Sequence, residues 1–333
     1  MHVCGTHQDT LIRYGLQSLL ESVNVRVVSG PGCPVCVTPP GEYEEAIALA
    51  QKGIVVTAFG DVARSPGYNR SLLDMRGAGC DVRVVYGIKD AVEIAKKTRS
   101  DVVFMAVGFE TTAPGTAVVL KDHPPDNFSI LSCHRYIPPA LKQLLGMGEL
   151  KIQGLIEPGH VSTIIGVKPY VEISERFKIP QVIAGFEPVD VLVAVYMLLR
   201  QLQRDEHKVE NEYSRTVKYD GNVTAQAYLK EVFEPDDVTW RGFSSIPASG
   251  MKLREEYAAF DAGKKYEKIL GGIDASAFGE ARGCHCGEVL RGVYEPSQCP
   301  LFARVCTPQK PVGPCMVSLE GSCNIEYRYK RRR

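Results

Sequence analysis

Six cysteines near the C-terminal end have the strongest chemical signature in this chain. They are spaced Cys-x-Cys-x12-Cys-x6-Cys-x8-Cys-x7-Cys, at Cys284, Cys286, Cys299, Cys306, Cys315 and Cys323. Zinc ribbons usually take their ligands from Cys-x2-4-Cys pairs, which this stretch lacks, whereas an iron–sulfur cluster accepts thiolates from separate turns. Four thiols could hold one cluster and leave two as an exchangeable pair. The spacing therefore favours a cluster, with a zinc site or unligated thiols as alternatives.

A second cysteine pair lies in the segment Gly30–Cys36, which reads Gly-Pro-Gly-Cys-Pro-Val-Cys. Cys33 and Cys36 have the Cys-x-x-Cys spacing of thioredoxin-type redox sites, which can form a tight disulfide. Two prolines follow, so we expect both thiols on a loop and the next helix only from Glu42. Such thiols gain less from a helix N-terminus than those of thioredoxin. Half of a zinc site, or a buried turn, is the alternative to redox chemistry.

Isolated polar residues elsewhere could belong to the same chemistry. Cys4 and His7 are three apart, so both can face one metal, or the imidazole can accept the thiol proton. Alone, such a pair is more often structural. Glu110 follows an apolar strand and is either a general base or a helix-start carboxylate, and His160 lies on another strand-end loop. Together with Asp61 they could line one cleft.

Alternating apolar and helical segments must position these residues. Apolar runs predict strands at Val23–Val28, Ile54–Ala58, Val82–Tyr86, Val102–Val107, Phe128–Ser132, Gly154–Ile156 and Gln181–Ala184. Helical patterns lie between them at Asp9–Leu20, Glu42–Gln51, Ala91–Lys97, Pro139–Leu145 and Val189–Leu202. Strands that alternate with helices in this way indicate βαβ units and parallel sheets. Sites in such sheets lie at the carboxyl ends of the strands.

A faint internal repeat favours two sheets rather than one. Gly108–Glu110 and Gly185–Glu187 both read Gly-Phe-Glu, and each follows a buried strand. We therefore predict two similar parallel-sheet α/β domains, 1–95 with Cys4 and the Cys33/Cys36 pair, and 96–203, with a break near Gly87–Ser100. A third domain, 204–333, is predicted to be mostly helical or irregular and to carry an iron–sulfur cluster on its last part, which is rich in Cys, Gly and Pro.

Composition narrows the class of protein. The 333 residues carry no net charge and 23% charged residues, which argues against broad nucleic-acid or membrane-surface binding. No apolar stretch approaches the roughly 18 residues of a transmembrane helix, and no signal peptide precedes the first motif. We therefore expect a cytoplasmic protein in a reducing compartment. There, eleven cysteines indicate metal or thiol chemistry rather than a disulfide framework.

In this order, the motifs resemble the HypD family of [NiFe]-hydrogenase maturation proteins, over nearly the whole chain. The matching stretches are Cys4–His7, Gly30–Cys36, Phe59–Asp61 with Arg64 and Pro66–Gly67, Gly108–Thr112, Pro158–His160, Gly185–Pro188 and Cys284–Cys323. The resemblance implies two similar α/β domains and a third domain with a 4Fe-4S cluster. It also implies a scaffold on which the Fe(CN)2CO unit of the hydrogenase is assembled, with a HypC-type chaperone and a HypE-type cyanide donor as partners.

The resemblance also implies residue roles. Cys4 would bind the iron jointly with a cysteine of the HypC partner, and His7 would sit close by. Cys33 and Cys36 would be the thiol pair near the iron, whose redox chemistry supports attachment of cyanide. Glu110 and His160 would line the same cleft.

For the C-terminal cysteines, the family's likeness to ferredoxin–thioredoxin reductase implies a division of labour. Cluster ligands would be Cys284, Cys299, Cys306 and Cys323, and the redox thiols would be Cys286 and Cys315. The rival function is an iron–sulfur thiol–disulfide reductase that acts on a protein disulfide and has no use for Cys4 and His7. A zinc-stabilised interaction protein is the third alternative, so whether the chain is itself an enzyme stays open.

Overall fold

The computed structural model describes residues 1–149, 151–274 and 277–330, and it contains two parallel sheets and one antiparallel hairpin. The first sheet has strands β1 (Val55–Ala58), β2 (Val82–Val84), β3 (Val102–Gly108) and β4 (Phe128–His134), in the order β2-β1-β3-β4. Every residue of β3 is buried, as expected for a parallel strand with helices on both faces.

The second sheet has strands β5 (Leu155–Pro158), β6 (Gln181–Ala184) and β7 (Val209–Asn211), all parallel and in that order. The N-terminus of the chain extends this sheet, because His2 forms parallel bridges to both Ile156 and Ser29. This pairing places Cys4 beside the carboxyl end of β5, where we expect functional residues.

The antiparallel hairpin of β8 (Phe233–Thr239) and β9 (Ser245–Leu253) packs beside the first sheet. The hydroxyl of Ser132 in β4 donates to the carbonyl of Met251 at 2.7 Å. The amide of Tyr136 donates to the carbonyl of Ser249 at 2.8 Å. These bonds fix the hairpin so that its tip, at residues 240–244, points toward the cysteine-bearing segments.

Helices connect and cover the strands. In chain order they are α1 (Gly5–Arg13), α2 (Leu16–Glu21), α3 (Pro34–Val37), α4 (Pro40–Gln51), α5 (Gly60–Arg64), α6 (Leu72–Gly77), α7 (Ile88–Lys97), α8 (Ala113–Lys121), α9 (Ile137–Met147), α10 (Gly159–Ile165), α11 (Lys168–Phe177), α12 (Pro188–Gln203), α13 (Val223–Val232), α14 (Ala262–Lys265), α15 (Glu267–Leu270), α16 (Cys286–Leu290) and α17 (Ser322–Tyr329). Within the described residues, none of these helices combines the length and apolarity needed to cross a membrane.

Most of the predicted elements are confirmed, with three corrections. The segment Val23–Val28 is irregular, because only the neighbouring Ser29 bridges to the sheet and Val23 is exposed. The predicted helix Asp9–Leu20 is two helices, separated at Gly15, which adopts a left-handed conformation with φ of 70°. Cys33 and Cys36 do not lie on an open loop, because Pro34 starts the short helix α3 directly after Cys33.

The α/β class with parallel sheets is confirmed, but the predicted domain boundaries do not follow the sheets. The break near Gly87–Ser100 falls inside the first sheet, since β1 and β3 on either side of it pair directly. The boundary after residue 203 separates β7 from β6, its pairing partner. The N-terminal residues, placed in the first domain by the sequence, extend the second sheet instead. Strand pairing depends on distant contacts, which local sequence patterns do not encode.

Candidate metal and thiol site

Cys4 is a buried thiol at the N-terminal end of α1. It is the N-cap residue of the helix and is 2% exposed, and its Sγ lies 3.8 Å from Nδ1 of His160. Burial raises the pKa of Cys4 to about 12, although the backbone N–H groups of His7 and Thr6 act in the opposite direction. The thiol is therefore neutral until a metal ion displaces its proton.

Two imidazoles lie beside this thiol. His7, one helical turn after Cys4, hydrogen-bonds through Nε2 to the carbonyl of Gly185 at 2.9 Å. The ring of Phe186 lies 5.1 Å from that of His7 and 5.4 Å from that of His160. Burial is the main cause that lowers the pKa of each imidazole to about 4, so both are neutral at neutral pH. Phe186 belongs to the Gly-Phe-Glu repeat at this strand end, but nothing in that repeat predicts its contact with both histidines.

The Cys33–Cys36 pair is joined as a disulfide, and the residue directly before it, Gly32, contacts the Cys4 segment. Both sulfurs are buried, with exposures of 4% for Cys33 and 0% for Cys36. A side chain at Gly32 would overlap the amide nitrogen of Cys4 and the carbonyl group of Val3. The amide of Gly5 donates to the Gly32 carbonyl at 3.3 Å. These contacts bring the two N-terminal cysteine motifs together.

Glu110 is a fully buried carboxyl at the end of β3. Its Oε1 accepts a hydrogen bond from the amide of Ile137 at 2.9 Å, and its Oε2 has no partner among the described residues. Burial raises the pKa of Glu110 to about 7, which suits a group that exchanges protons at neutral pH.

A second buried carboxyl, Glu157 in β5, was missed by sequence analysis. Neither of its oxygens has a hydrogen-bond partner within the described part of the chain, and burial raises its pKa to about 8. Burial raises the pKa of the Tyr170 phenol well above its ordinary value, and the charges of Glu157, Glu110 and Cys4 add to this rise. Glu157 is close to the Cys4 segment in the sheet, because its neighbour Ile156 bridges to His2.

All six C-terminal cysteines line one cavity between α16, α17 and the intervening turns; its wall also includes His285, Val289, Leu301, Phe302, Gly313 and Met316. Cys286 and Cys315 are in sulfur–sulfur contact at 2.8 Å. The sulfur of Cys306 accepts a hydrogen bond from the amide of Val312 at 3.4 Å. A Cβ at Gly313 would lie 3.1 Å from the sulfur of Cys284.

Six thiols around one mostly apolar cavity fit a cysteine-ligated iron–sulfur cluster, which needs four and is tuned by N–H groups that face its sulfurs. No group of three or more His, Cys, Asp or Glu side chains in residues 1–149, 151–274 and 277–330 is arranged to hold a single metal ion. The 4Fe-4S cluster and the division of the thiols between ligands and redox pair stay predictions.

The thiol of Cys286 is subject to opposing effects. Hydrogen bonding with Cys284 favours its thiolate, whereas hydrogen bonding with Cys315 and burial raise the pKa of Cys286 well above its ordinary value. The positive charge of Arg241 acts against this rise.

Helix α3, which carries the disulfide, packs against both elements that carry the close thiol pair. Its neighbours are α16, which begins at Cys286, and the turn Pro314–Met316, which contains Cys315. All four cysteines belong to one hydrophobic core. The two pairs are therefore adjacent in the fold, although about 250 residues separate them in the sequence.

Further contacts tie the C-terminal segment to the Cys4 side. A side chain at Gly5 would overlap Glu320. The hydroxyl of Ser318 donates to Oδ2 of Asp61 at 3.2 Å, and the guanidinium of Arg64 donates to the carbonyl of Pro308 at 2.9 Å. Asp61, grouped with the cleft by its sequence position, thus fastens the C-terminal segment.

Comparison with known proteins gives a full-length match. The family model described as "HypD: Hydrogenase formation hypA family" matches residues 1–330. A putative hydrogenase expression/formation protein of Methanocaldococcus jannaschii is 50% identical over 99% of this chain and 92% of its own length. The hydrogenase maturation factor HypD2 of Bradyrhizobium diazoefficiens is 43% identical over 100% of this chain and 90% of its own length. The hydrogenase maturation factor HypD of Cupriavidus necator is 42% identical over 99% of this chain and 89% of its own length.

Proposed function

Because the chain belongs to the HypD family, we propose that it is a scaffold for assembly of the Fe(CN)2CO unit of [NiFe]-hydrogenases. We propose further that its thiols and an iron–sulfur cluster supply redox chemistry for the attachment of cyanide to iron. One observation carries the proposal: Gly32, directly before the disulfide Cys33–Cys36, contacts the Cys4 segment, and the disulfide helix α3 packs against two elements that line the six-cysteine cavity.

Cys4 is the proposed ligand of the iron under construction. Low-spin Fe(II) with cyanide and carbonyl ligands favours a soft thiolate, and a buried site keeps water away from the iron. A single protein thiolate leaves other positions of the iron open, so a HypC-type chaperone is proposed to supply the second cysteine. A HypE-type protein is proposed as the cyanide donor. His160, whose Nδ1 lies 3.8 Å from the Cys4 sulfur, and the buried Glu110 are proposed to exchange protons with the reacting groups.

The six-cysteine cavity is the proposed source of electrons. Its ligands for a 4Fe-4S cluster would be Cys284, Cys299, Cys306 and Cys323, and the bound cluster would supply electrons one at a time. Cys286 and Cys315, 2.8 Å apart, remain as a dithiol that handles two electrons. Contact between their elements and α3 supports thiol–disulfide exchange with the Cys33–Cys36 bond as the step toward Cys4.

Infrared spectroscopy tests the scaffold role. The protein is co-expressed with its HypC-, HypE- and HypF-type partners and purified without oxygen, and bands of iron-bound cyanide and carbonyl are expected. Cys4→Ala should remove these bands, because the iron loses its ligand on this chain. Cys80→Ala is the matched control, since Cys80 is half-buried at the edge of the core and should leave the bands unchanged. Bands that persist in Cys4→Ala would refute the role of Cys4.

Metal and sulfide analysis tests the electron source separately. The anaerobic protein should contain about four iron and four sulfide per chain, and a colourless protein with stoichiometric zinc would end the cluster proposal. The rival function, a reductase of other proteins, fits less well because both sulfurs of the Cys33–Cys36 bond are buried away from a protein substrate. Rapid reduction of an added protein disulfide, with no effect of Cys4→Ala on hydrogenase maturation, would favour that rival.

A further inference from the structure

The tip of the β8–β9 hairpin lies between the two helices that carry redox cysteines. It consists of residues 240–244, and its first residue, Trp240, is fully buried and stacks on Phe109 with 5.8 Å between ring centroids. The indole N–H of Trp240 donates to the hydroxyl of Ser249 at 2.9 Å. The tip is thus anchored within its own hairpin, and the residue that follows, Arg241, projects from a fixed base.

On one side, Arg241 holds the end of α3. Its amide donates to the carbonyl of Val37 at 2.7 Å, and its guanidinium donates through Nε and Nη2 to the carbonyl of Thr38, at 3.2 and 3.0 Å. Val37 and Thr38 immediately follow Cys36. A forked donor fixes the orientation of its acceptor as well as its distance, so these three bonds define where the disulfide helix lies.

On the other side, the same loop holds the start of α16. A Cβ at Gly242 would lie 2.6 Å from the Cα of Gly287, the residue directly after Cys286. At the other end of α16, the side chain of Arg291 donates to the carbonyl of Gly242. Residues 241 and 242 therefore contact both helices at points one or two residues from a redox cysteine.

We propose that Arg241 is a positioning residue for thiol–disulfide exchange between the Cys286/Cys315 pair and the Cys33–Cys36 disulfide. The proposal rests on the redox relay of the proposed function and assigns the residue that aligns its two halves. In-line attack on a disulfide requires the attacking sulfur, the attacked sulfur and the leaving sulfur to be aligned, and a misplacement of about 1 Å can slow a reaction on the order of a hundredfold.

The exchange is balanced within the chain. The thiolate of Cys286 attacks one sulfur of the Cys33–Cys36 bond, a mixed disulfide forms, and the other sulfur leaves as a thiolate that takes up a proton. The thiolate of Cys315 then attacks the sulfur of Cys286 and releases the second α3 sulfur. Two electrons and two protons have passed to Cys33 and Cys36, and Cys286 and Cys315 have become a disulfide.

The surroundings of Arg241 fit this role better than a purely structural one. The side chain is 5% exposed, and its guanidinium donates to the neutral carbonyl of Thr38, while the charge of Glu280 lies near enough to interact with it. During exchange each leaving sulfur is transiently negative, and a neighbouring guanidinium favours that state.

The test measures how fast electrons move between the two pairs. The full-length protein is purified without oxygen and shifted from oxidising to reducing glutathione buffer. Samples are quenched at intervals with an alkylating reagent, and mass spectrometry of peptides measures the reduced fraction of each cysteine. Arg241→Gln is expected to slow reduction of the Cys33–Cys36 bond by about tenfold or more, whereas Arg241→Lys should recover part of the rate, because the charge remains and the fork is lost.

Two controls separate alignment from stability. Arg291→Gln removes another anchor of the same loop without touching α3, and Cys286→Ser removes the attacking sulfur. If Arg241→Gln reduces the bond as fast as the unaltered chain, or if Arg291→Gln slows it equally at a matched melting temperature, the role of Arg241 is refuted. If Cys286→Ser leaves the rate unchanged, the relay of the proposed function is itself wrong, and the role of Arg241 falls with it.

Discussion

The contact between Gly32 and the Cys4 segment makes a direct prediction for Gly32→Ala. The added methyl group would overlap two backbone groups, the amide of Cys4 and the carbonyl of Val3. Backbone atoms cannot rotate away as a side chain can, and both segments are held by other bonds. Gly5 donates to the Gly32 carbonyl at 3.3 Å, and Val3 donates to the carbonyl of Ile156 at 3.3 Å. The methyl group must therefore push two hydrogen-bonded segments apart.

The expected cost follows from these contacts. Overpacking of a close-packed interior costs about 1–3 kcal/mol, and each backbone hydrogen bond that is strained adds about 1 kcal/mol. We expect Gly32→Ala to lower the free energy of unfolding in urea by about 3 kcal/mol, a large part of the 5–15 kcal/mol typical of a folded protein. Cys4, now 2% exposed, should also react faster with iodoacetamide under native conditions.

Gly115→Ala is the matched control. Gly115 lies in α8, and a Cβ there would have no atom within 4 Å. This change should leave stability unchanged or raise it by about 0.5–1 kcal/mol, because alanine favours a helix over glycine. If Gly32→Ala unfolds like Gly115→Ala and its Cys4 stays unreactive, the two cysteine segments do not touch as described.

Three further changes test other parts of the structure. Arg135→Met should lower the free energy of unfolding by about 3–5 kcal/mol, because it removes a buried guanidinium and leaves its half-buried partner Glu42 unpaired. Adding Glu42→Gln should recover part of the loss, and wild-type stability in the single variant would contradict this. The raised pKa of Glu157 keeps its carboxyl neutral in the folded protein while the unfolded one ionises, so the unaltered chain loses stability as the pH rises from about 4.5 to 8. Glu157→Gln should flatten this decline, and an unchanged slope in urea unfolding at several pH values would refute it. Gly313→Ala should lose most of its iron and sulfide, because the added methyl group would crowd the sulfur of Cys284. Gly279→Ala is the control and should keep both, because a Cβ at Gly279 has no atom within 4 Å. Equal metal content in the two variants would place the cluster elsewhere.

Local sequence patterns predicted most of the strands, because strand formation depends largely on residues that are close together in the chain. Six of the seven apolar runs form strands, because a parallel strand covered on both faces requires a continuous apolar segment. The exception, Val23–Val28, has the composition of a strand, but its chain neighbour Ser29 makes only a single bridge to the sheet. Which strands pair is decided by contacts far apart in sequence. The break near Gly87–Ser100 was therefore misplaced, since β1 and β3 join across it.

The same reasoning separates the site residues that were found from those that were missed. Cysteine spacing identified all six cysteines that line the C-terminal cavity, because few functions other than metal or thiol chemistry require so many thiols. Arg241 and Glu157 carry no such signal. An arginine after a tryptophan and a glutamate within a strand are ordinary in sequence. They become informative only when burial leaves the carboxyl without a partner and places the guanidinium against the end of α3.

The glycines near the cysteines show how the fold joins these chemically distinct parts. At three glycines a side chain would overlap a neighbouring segment. It would overlap the Cys4 backbone at Gly32, helix α16 at Gly242, and the sulfur of Cys284 at Gly313. Each therefore permits a contact between a cysteine-bearing segment and its neighbour that no larger residue allows. The segment 32–38, which carries the Cys33–Cys36 bond, is held at one end by the Cys4 segment and at the other by Arg241, so a change in this bond must act on both neighbours. The proposed transfer of electrons toward Cys4 would require this kind of close packing.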